Sequence, residues 1–257
     1  MFKTINRKNQ RYPRAVISPF TTNTINRTNP WVAAWWSAAF PGFGHMFLGR
    51  YITGFVLTIW EIILNLKANI NLAIIYSFTG QFDQAREVLD YKLFIVYIGA
   101  FVFGIWDSYR ISVEMNKRSV LADRTDPVVD NFSMSPFSIN CFEKRNPWVS
   151  AAWSCLVPGL GHVYIHRLAT GFFVLIIWAL AVYFSRMLVA MHLTLTGAFS
   201  EAAAVIDPAY FLFLPSLYGF SIYCSYVYTV EYNKVFKAEQ AGYLKANYQS
   251  PDSKMPC

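Results

Sequence analysis

Long uncharged hydrophobic stretches alternate with short charged segments along this chain. Each half holds three hydrophobic stretches, at about 31–49, 53–78 and 93–112 in the first half and about 148–165, 170–195 and 210–229 in the second. This alternation is typical of a multi-pass membrane protein and predicts an all-α membrane fold. Between the second and third stretches, "TGQFDQAREVLD" and "TGAFSEAAAVID" have the apolar spacing of a short interfacial helical turn.

The two halves are copies of one unit. Residues 29–117 align with 146–234 without a gap at a shift of 117 residues, and 32 of these 89 positions are identical. We therefore divide the chain into a basic tail (1–28), a first membrane repeat (29–117), a polar linker (118–145), a second membrane repeat (146–234) and a C-terminal tail (235–257).

The first hydrophobic stretch of each repeat is broken by proline. Pro41 biases Phe40 away from helix, so the helix from Trp31 to Phe40 reaches only about 15 Å at ~1.5 Å per residue. That length is about half of a ~30 Å hydrocarbon core. We therefore expect a broken or re-entrant entry helix followed by a helical hairpin in each repeat, giving four full spans. Six spans are the alternative, since a kinked 19-residue stretch can also cross.

The distribution of basic residues favours four spans. The segments 1–28, 110–145 and 231–257 hold 16 of the 22 lysines and arginines, whereas 67–92 and 184–208 hold four. Two spans per repeat would place all three basic segments on the cytoplasmic side, as the positive-inside rule prefers. Three spans per repeat would place the linker outside. The expected location is thus the cell membrane, with a cytoplasmic N-terminus.

Composition supports this picture and narrows the partners. Hydrophobic residues make up 55% of the chain and charged residues 14%, with a net charge of +7. The first 28 residues contain six basic residues, no acid and no apolar signal-peptide core, so we expect attraction to anionic membrane lipids. Nucleic acid is disfavoured because the tail lacks interleaved aromatic residues and any recognisable binding module. The four cysteines show no metal-ligand or disulfide spacing.

Both repeats share the motif P-G-x-G-H-x4-R-x2-T-G-F. Glycine permits a sharp bend and a close backbone approach. We therefore predict a structural elbow formed in the two repeats by Pro41, Gly42, Gly44, Pro158, Gly159 and Gly161.

These residues resemble a known family. "GFGHMFLGRYITG" is similar to the signature of the TM2 domain and of bacterial membrane proteins with a P-G-x-G-x-x-Y-x-G-R elbow, and "IWDSYRIS" resembles their ending. The resemblance covers about 36–60 and 101–112, and the equivalent 153–177 and 218–229. It implies a bacterial membrane protein and no particular chemistry. The second copy departs from the pattern, with His166 in place of Gly49 and with Cys224 and Val227 in place of Asp107 and Arg110.

The motif histidines and arginines are the first candidate site. His45 precedes Arg50 by five positions, and His162 precedes Arg167 by the same spacing. In the structural interpretation, the histidine bonds to a carbonyl freed by the elbow and the arginine anchors at the headgroups. Alternatively, each pair binds the phosphate of a lipid headgroup. A metal site is disfavoured because no carboxylate lies at the motif.

Glu61 is a candidate intramembrane ion site. It lies inside an apolar stretch, where a carboxylate is costly, and its counterpart is Trp178. A structural alternative pairs Glu61 with Lys67 or places it close to water. Three nearby amides extend this polar stretch and are candidates for joining helices: Asn65, Asn69 and Asn71.

No nucleophile–base set, P-loop, zinc-protease motif or dinucleotide fingerprint is found, which disfavours an enzyme and a cofactor. We expect a non-enzymatic scaffold, an accessory subunit of a membrane protein partner, or a lipid-interacting module. A small transporter or channel with a cavity between the repeats is the alternative. A lipid-modifying enzyme comes third and would require a motif histidine beside a carboxylate such as Asp107 or Glu114.

Overall fold

The computed structural model describes residues 14–122, 132–136 and 138–248, and it is mostly helical. The first half contains β1 (Ala15–Ile17), β2 (Thr22–Thr24), α1 (Pro30–Ala39), α2 (Phe43–Phe47), α3 (Tyr51–Lys67), α4 (Ile70–Phe78), α5 (Phe82–Val88) and α6 (Tyr91–Ala122). The second half contains β3 (Phe132–Ser135), β4 (Ser138–Cys141), α7 (Pro147–Leu156), α8 (Leu160–Tyr164), α9 (Leu168–Phe184), α10 (Met187–Leu195), α11 (Phe199–Val205), α12 (Pro208–Phe211) and α13 (Phe213–Tyr248).

The second half repeats the element order of the first at the same 117-residue shift. Only α6 differs, since its counterpart is divided into α12 and α13. Equivalent hydrogen bonds recur as well. The Asn116 amide bonds both the N–H and the carbonyl of Thr28, at 2.9 and 2.7 Å, and Asn233 does the same to Arg145 at 2.9 and 2.7 Å. Each bond pair fixes the start of an entry helix beside a long helix.

Two antiparallel hairpins, β1–β2 and β3–β4, extend the repeat beyond the boundaries predicted from sequence. They lie in the segments that we assigned to the basic tail and the polar linker. The signal is weak but present, because "SPF" followed three residues later by asparagine occurs at 18–23 and 135–140. The predicted C-terminal tail begins inside α13. Lys3, Arg7, Lys8 and Arg11 of the basic tail lie outside the described residues, as do linker residues 123–131 and tail residues 249–257.

The second hydrophobic stretch of each repeat, at 53–78 and 170–195, forms two helices joined by a bend. The helix axes turn by 64° between α3 and α4 and by 60° between α9 and α10. Asn69 and Arg186, at the two bends, have φ of 56° and 57°. A left-handed residue ends a helix because it breaks the regular hydrogen-bond ladder.

One described helix, Tyr91–Ala122, has the length and hydropathy needed to cross a membrane. Three helix pairs meet the same test when each pair is taken together, including 199–205 with 208–245, which bends by 80°. The described residues therefore hold one clear candidate span, and up to four if each bent pair counts as one. The predicted interfacial turns correspond to the short helices α5 and α11.

The entry helix and its elbow leave and return at the same end of the repeat. Helix α1 runs antiparallel to the second half of α6, because Thr28 contacts Asn116 and the Ser108 hydroxyl donates to the Ala33 carbonyl at 3.3 Å. The chain then reverses at Pro41, whose carbonyl accepts from Thr58 Oγ1 of α3 at 3.2 Å. Residues 28 and 50 line the same cavity. The entry helix therefore ends before Pro41, and the chain returns toward the level of residue 28.

Aromatic side chains fill the space between the two repeats. The Phe43 and Phe220 ring centroids lie 4.2 Å apart, and those of Phe55 and Phe173 lie 4.0 Å apart. A polar contact also joins the two repeats, where Asn71 Nδ2 donates to the Ala209 carbonyl at 2.7 Å. The contacts between the repeats are thus mainly aromatic, and polar contacts occur at Asn71, Ser216 and Tyr228.

Candidate functional site

A buried arginine lies where the two repeats and both hairpins meet. Arg167, at the start of α9, is 2% exposed, and its Cζ lies 3.5 Å from the centroid of the Tyr228 ring. Its Nη2 donates to the Tyr51 hydroxyl at 2.5 Å, and among the described residues its Nε has no hydrogen-bond partner. These contacts are with phenol groups and aromatic faces, so the guanidinium charge is stabilised by cation–π attraction and neutral acceptors.

A cavity of about 280 Å³ opens beside this cluster, between the repeats. Three arginines contribute to its wall, Arg50, Arg118 and Arg167, against one acid, Glu231. Glu231 is already paired with Lys234, at 2.7 Å. Neutral polar groups also line the cavity, at Asn23, Thr24, Asn26 and Thr28, and the rest of the wall is mainly apolar, including Phe47, Leu48 and Met115. The cavity therefore combines cations and hydrogen-bonding groups that suit a phosphate with an apolar wall.

The hairpins hold this site together. Leu168 N donates to the Phe20 carbonyl at 3.1 Å, which ties the start of α9 to the β1–β2 turn. Asn140 Nδ2 of β4 donates to the Ser18 carbonyl and to Thr22 Oγ1, each at 2.9 Å. The Tyr232 hydroxyl donates to the carbonyl of Thr22. The site thus depends on segments that the sequence pattern marked only as charged and polar.

A backbone hydrogen bond joins each motif arginine to the histidine five positions before it. Arg50 N donates to the His45 carbonyl at 2.8 Å, and Arg167 N donates to the His162 carbonyl at 2.8 Å. The two arginine side chains differ, since Arg50 is exposed and Arg167 is buried. The structure therefore brings Arg50 and Arg167 to one cavity and leaves the two imidazoles outside its lining.

The His45 side chain bonds to a carboxylate, where the structural interpretation expected a carbonyl. His45 Nε2 lies 3.2 Å from Asp107 Oδ2, and Arg110 Nη2 lies 2.5 Å from Asp107 Oδ1. Repeat 2 lacks this set because Cys224 replaces Asp107. Neither ring nitrogen of His162 has a partner among the described residues, and its ring stacks on Phe220 at 6.2 Å.

This histidine–carboxylate pair is the arrangement that a lipid-modifying enzyme would require, but its setting favours a structural role. His45 is 0% exposed, so its imidazole has no route to a substrate in this conformation. The Asp107 carboxylate instead links the elbow to α6 and to the exposed Arg110. We interpret the pair as a buried hydrogen bond that holds the elbow against the long helix α6.

We expect His45→Ala to lower the free energy of unfolding by about 3 kcal/mol, since it removes a hydrogen bond to a charged group and leaves a cavity. Thermal unfolding in a mild detergent measures the loss. Arg110→Ala is the matched control and should change stability little, because its side chain is 44% exposed. An equal loss in both variants would contradict the stabilising role of the His45–Asp107 hydrogen bond.

Glu61 bonds to neutral groups rather than to Lys67. Its Oε1 accepts from Asn65 Nδ2 at 3.0 Å and from the Tyr97 hydroxyl at 3.3 Å, whereas Oε2 has no partner among the described residues. Asn65 also bonds to Asn71, which crosses to repeat 2. These two amides join helices as the sequence suggested, while the third, Asn69, bonds to the Val88 carbonyl at 3.1 Å.

Within the part of the chain that the structure describes, no three histidine, cysteine, aspartate or glutamate side chains lie close enough to hold a metal ion. Cys141, Cys155 and Cys224 are free thiols, and Cys257 lies outside the described residues.

Comparison with protein-family models, with curated proteins and with solved structures finds no match to this chain. The resemblance to the TM2 domain therefore stays a prediction, and the functional argument depends on the geometry of the site.

Proposed function

We propose that this protein is a non-enzymatic, multi-pass module of the bacterial cell membrane that binds the phosphate of an anionic lipid headgroup between its two repeats. The observation that carries the proposal is the buried guanidinium of Arg167, which contacts no carboxylate among the described residues and forms part of the wall of a basic cavity. A phosphate oxygen entering this cavity would give the Arg167 guanidinium the negatively charged partner that the described side chains do not provide.

The proposed topology places this cavity at the cytoplasmic surface. Each entry helix is re-entrant, so each repeat contributes two full spans, one bent and one ending in a long helix. Four spans put both hairpins, the linker and the C-terminal end of α13 on one side, together with 16 of the 22 basic residues. Anionic headgroups are concentrated at that surface, which supports a lipid as the source of the phosphate.

Lipid binding can be tested with the two exposed arginines of the cavity. We expect Arg50→Gln with Arg118→Gln to weaken retention of phosphatidylglycerol about 30-fold, since each basic residue near the surface contributes about 1 kcal/mol. Native mass spectrometry of protein from nanodiscs containing phosphatidylcholine and phosphatidylglycerol measures the retained lipid. Added inorganic phosphate distinguishes the sources, because a free-phosphate site would be saturated without any lipid.

Lys117→Gln with Lys237→Gln is the matched control. Both lysines are exposed cations near the same end of the molecule, and neither lines the cavity. It should retain phosphatidylglycerol as the unmodified protein does. Equal lipid retention in the arginine and lysine variants would overturn the proposal, because binding would then reflect general surface charge.

The transporter alternative has less support. It calls for a water-filled cavity between the repeats that is lined by the elbows and Glu61. The Phe43, Phe55, Phe173 and Phe220 rings occupy that space, and Glu61 does not line the basic cavity. The role of a scaffold or accessory subunit for another membrane protein remains compatible with headgroup binding.

A further inference from the structure

The two repeats meet through different faces. Part of the surface of repeat 1 that contacts repeat 2, here called the elbow face, consists of Trp36, Ala39, Phe40, Phe43 and Phe47. The contacting surface of α13, here called the long-helix face, consists of Phe213, Ser216, Phe220 and Tyr223. The Trp36 and Phe220 ring centroids lie 5.5 Å apart, and the Ser216 hydroxyl donates to the Ala39 carbonyl at 3.2 Å.

Duplication gives each repeat both faces, and one of each is left over. The 117-residue shift places the second elbow face at Trp153, Leu156, Val157, Leu160 and Tyr164. It places the second long-helix face on α6 at Val96, Gly99, Phe103 and Trp106. These faces do not meet. Trp153 is 45% exposed where Trp36 is 9% exposed, and Phe103 is 50% exposed where Phe220 is fully buried.

This asymmetry means that the repeats are joined head to tail. A two-fold arrangement would bring the shifted pair Trp153 and Phe103 together just as it brings Trp36 and Phe220 together. A head-to-tail contact uses two different surfaces, so it leaves one unsatisfied copy of each surface at its ends. Contacts of this kind propagate into closed rings or open chains when further copies are available.

The leftover faces keep two residues of the internal joint and change the other seven. Its two central rings are unchanged, since Trp153 matches Trp36 and Phe103 matches Phe220. Leu156 is larger than its counterpart Ala39, and Gly99, which would face it, is smaller than Ser216. A Cβ added at Gly99 would meet no atom within 4 Å, so α6 has room for a leucine side chain there. This pair of positions is therefore complementary in size, whereas Val157 and Val96 replace the Phe40–Phe213 ring contact with two smaller side chains.

We propose that the long-helix face of repeat 1 in one copy of this chain packs on the elbow face of repeat 2 in another copy, reproducing the internal joint between molecules. The driving force is close packing of rings and small residues, which associates helices in lipid. None of the proposed contact residues lines the basic cavity, so this association and headgroup binding can fail independently.

Disulfide trapping tests the joint in membranes. In a background with Cys141, Cys155 and Cys257 changed to serine, chains carrying Gly99→Cys and chains carrying Leu156→Cys are tagged differently and co-expressed. Mild oxidation should give a heterodisulfide between the two tags at about tenfold the yield of an unrelated pair, because the joint holds the thiols at high effective concentration. Ala39→Cys with Ser216→Cys in one chain is the positive control.

The unrelated pair is Ile59→Cys with Leu156→Cys. Ile59 is exposed and lies beside Thr58, which bonds the elbow, so it samples the same depth. Equal yields from the two pairs would overturn the proposal and assign both faces to lipid. A predominance of Gly99→Cys homodisulfides would also overturn it, since that product requires a two-fold contact.

A steric variant gives an independent measurement. Gly99→Trp should convert the oligomer to monomer in native mass spectrometry, because the indole fills the space that Leu156 would occupy. Ile98→Trp is the control, since its counterpart Pro215 is exposed and lies outside the internal joint. An unmodified protein that is monomeric in nanodiscs would contradict the proposal directly.

Discussion

Gly44→Ala combined with Gly161→Ala will abolish most of the folded protein. A Cβ at Gly44 would lie inside contact distance of the Ala33 carbonyl and the Ser37 hydroxyl, and one at Gly161 would collide with the Ser150 carbonyl and with Ser154. Backbone carbonyls cannot move aside cheaply, so each substitution should cost about 3 kcal/mol or more.

The combined loss is comparable to a whole domain's stability of about 5–15 kcal/mol. The yield of monodisperse protein after extraction in mild detergent measures it, and each single variant should unfold at a lower temperature. Gly242→Ala is the matched control. It lies in the long helix α13 with no atom within 4 Å of the added Cβ, and should be neutral or slightly stabilising. Normal yield of the double variant would contradict the close packing of the elbow helices α2 and α8 on the entry helices α1 and α7.

Backbone-level features of the elbow could be predicted because they follow from residue type. Proline and glycine determine where a helix stops and where the chain can turn. The break in the entry helix could therefore be predicted from Pro41, Gly42 and Gly44. Gly42 has φ of 98°, a conformation that favours glycine. The bends at Asn69 and Arg186 were not predicted, because neither residue type requires a left-handed conformation.

The candidate site could be predicted only in part. The motif arginines were identified, but their spacing is identical in both repeats and gives no hint that Arg50 is exposed while Arg167 is buried. That difference arises from how one repeat sits on the other, which brings Tyr51 and Tyr228 to Arg167 from distant parts of the chain. His45 and Asp107 are 62 residues apart in the sequence, so a local sequence pattern could not predict their hydrogen bond either.

Arg167→Ala will distinguish the roles of the two motif arginines more clearly than any other single substitution. The substitution removes a desolvated cation–π contact with Tyr228 and a charged hydrogen bond to Tyr51, which together contribute about 4 kcal/mol. It also leaves a void between the hairpins and α9. We therefore expect a large fall in thermal stability, together with loss of phosphatidylglycerol retention in the protein that still folds.

Arg50→Ala is the matched control, because it occupies the same motif position in the other repeat and its side chain is exposed. It should weaken lipid retention, since it removes a cation from the cavity, while leaving the unfolding temperature near that of the unmodified protein. Adding phosphatidylglycerol should raise the unfolding temperature of the unmodified protein more than that of either variant, because a bound ligand stabilises the folded state. Equal destabilisation by the two substitutions would mean that Arg167 does not stabilise the contact between the repeats. The proposal that its buried charge attracts a phosphate into the cavity would then lose its basis.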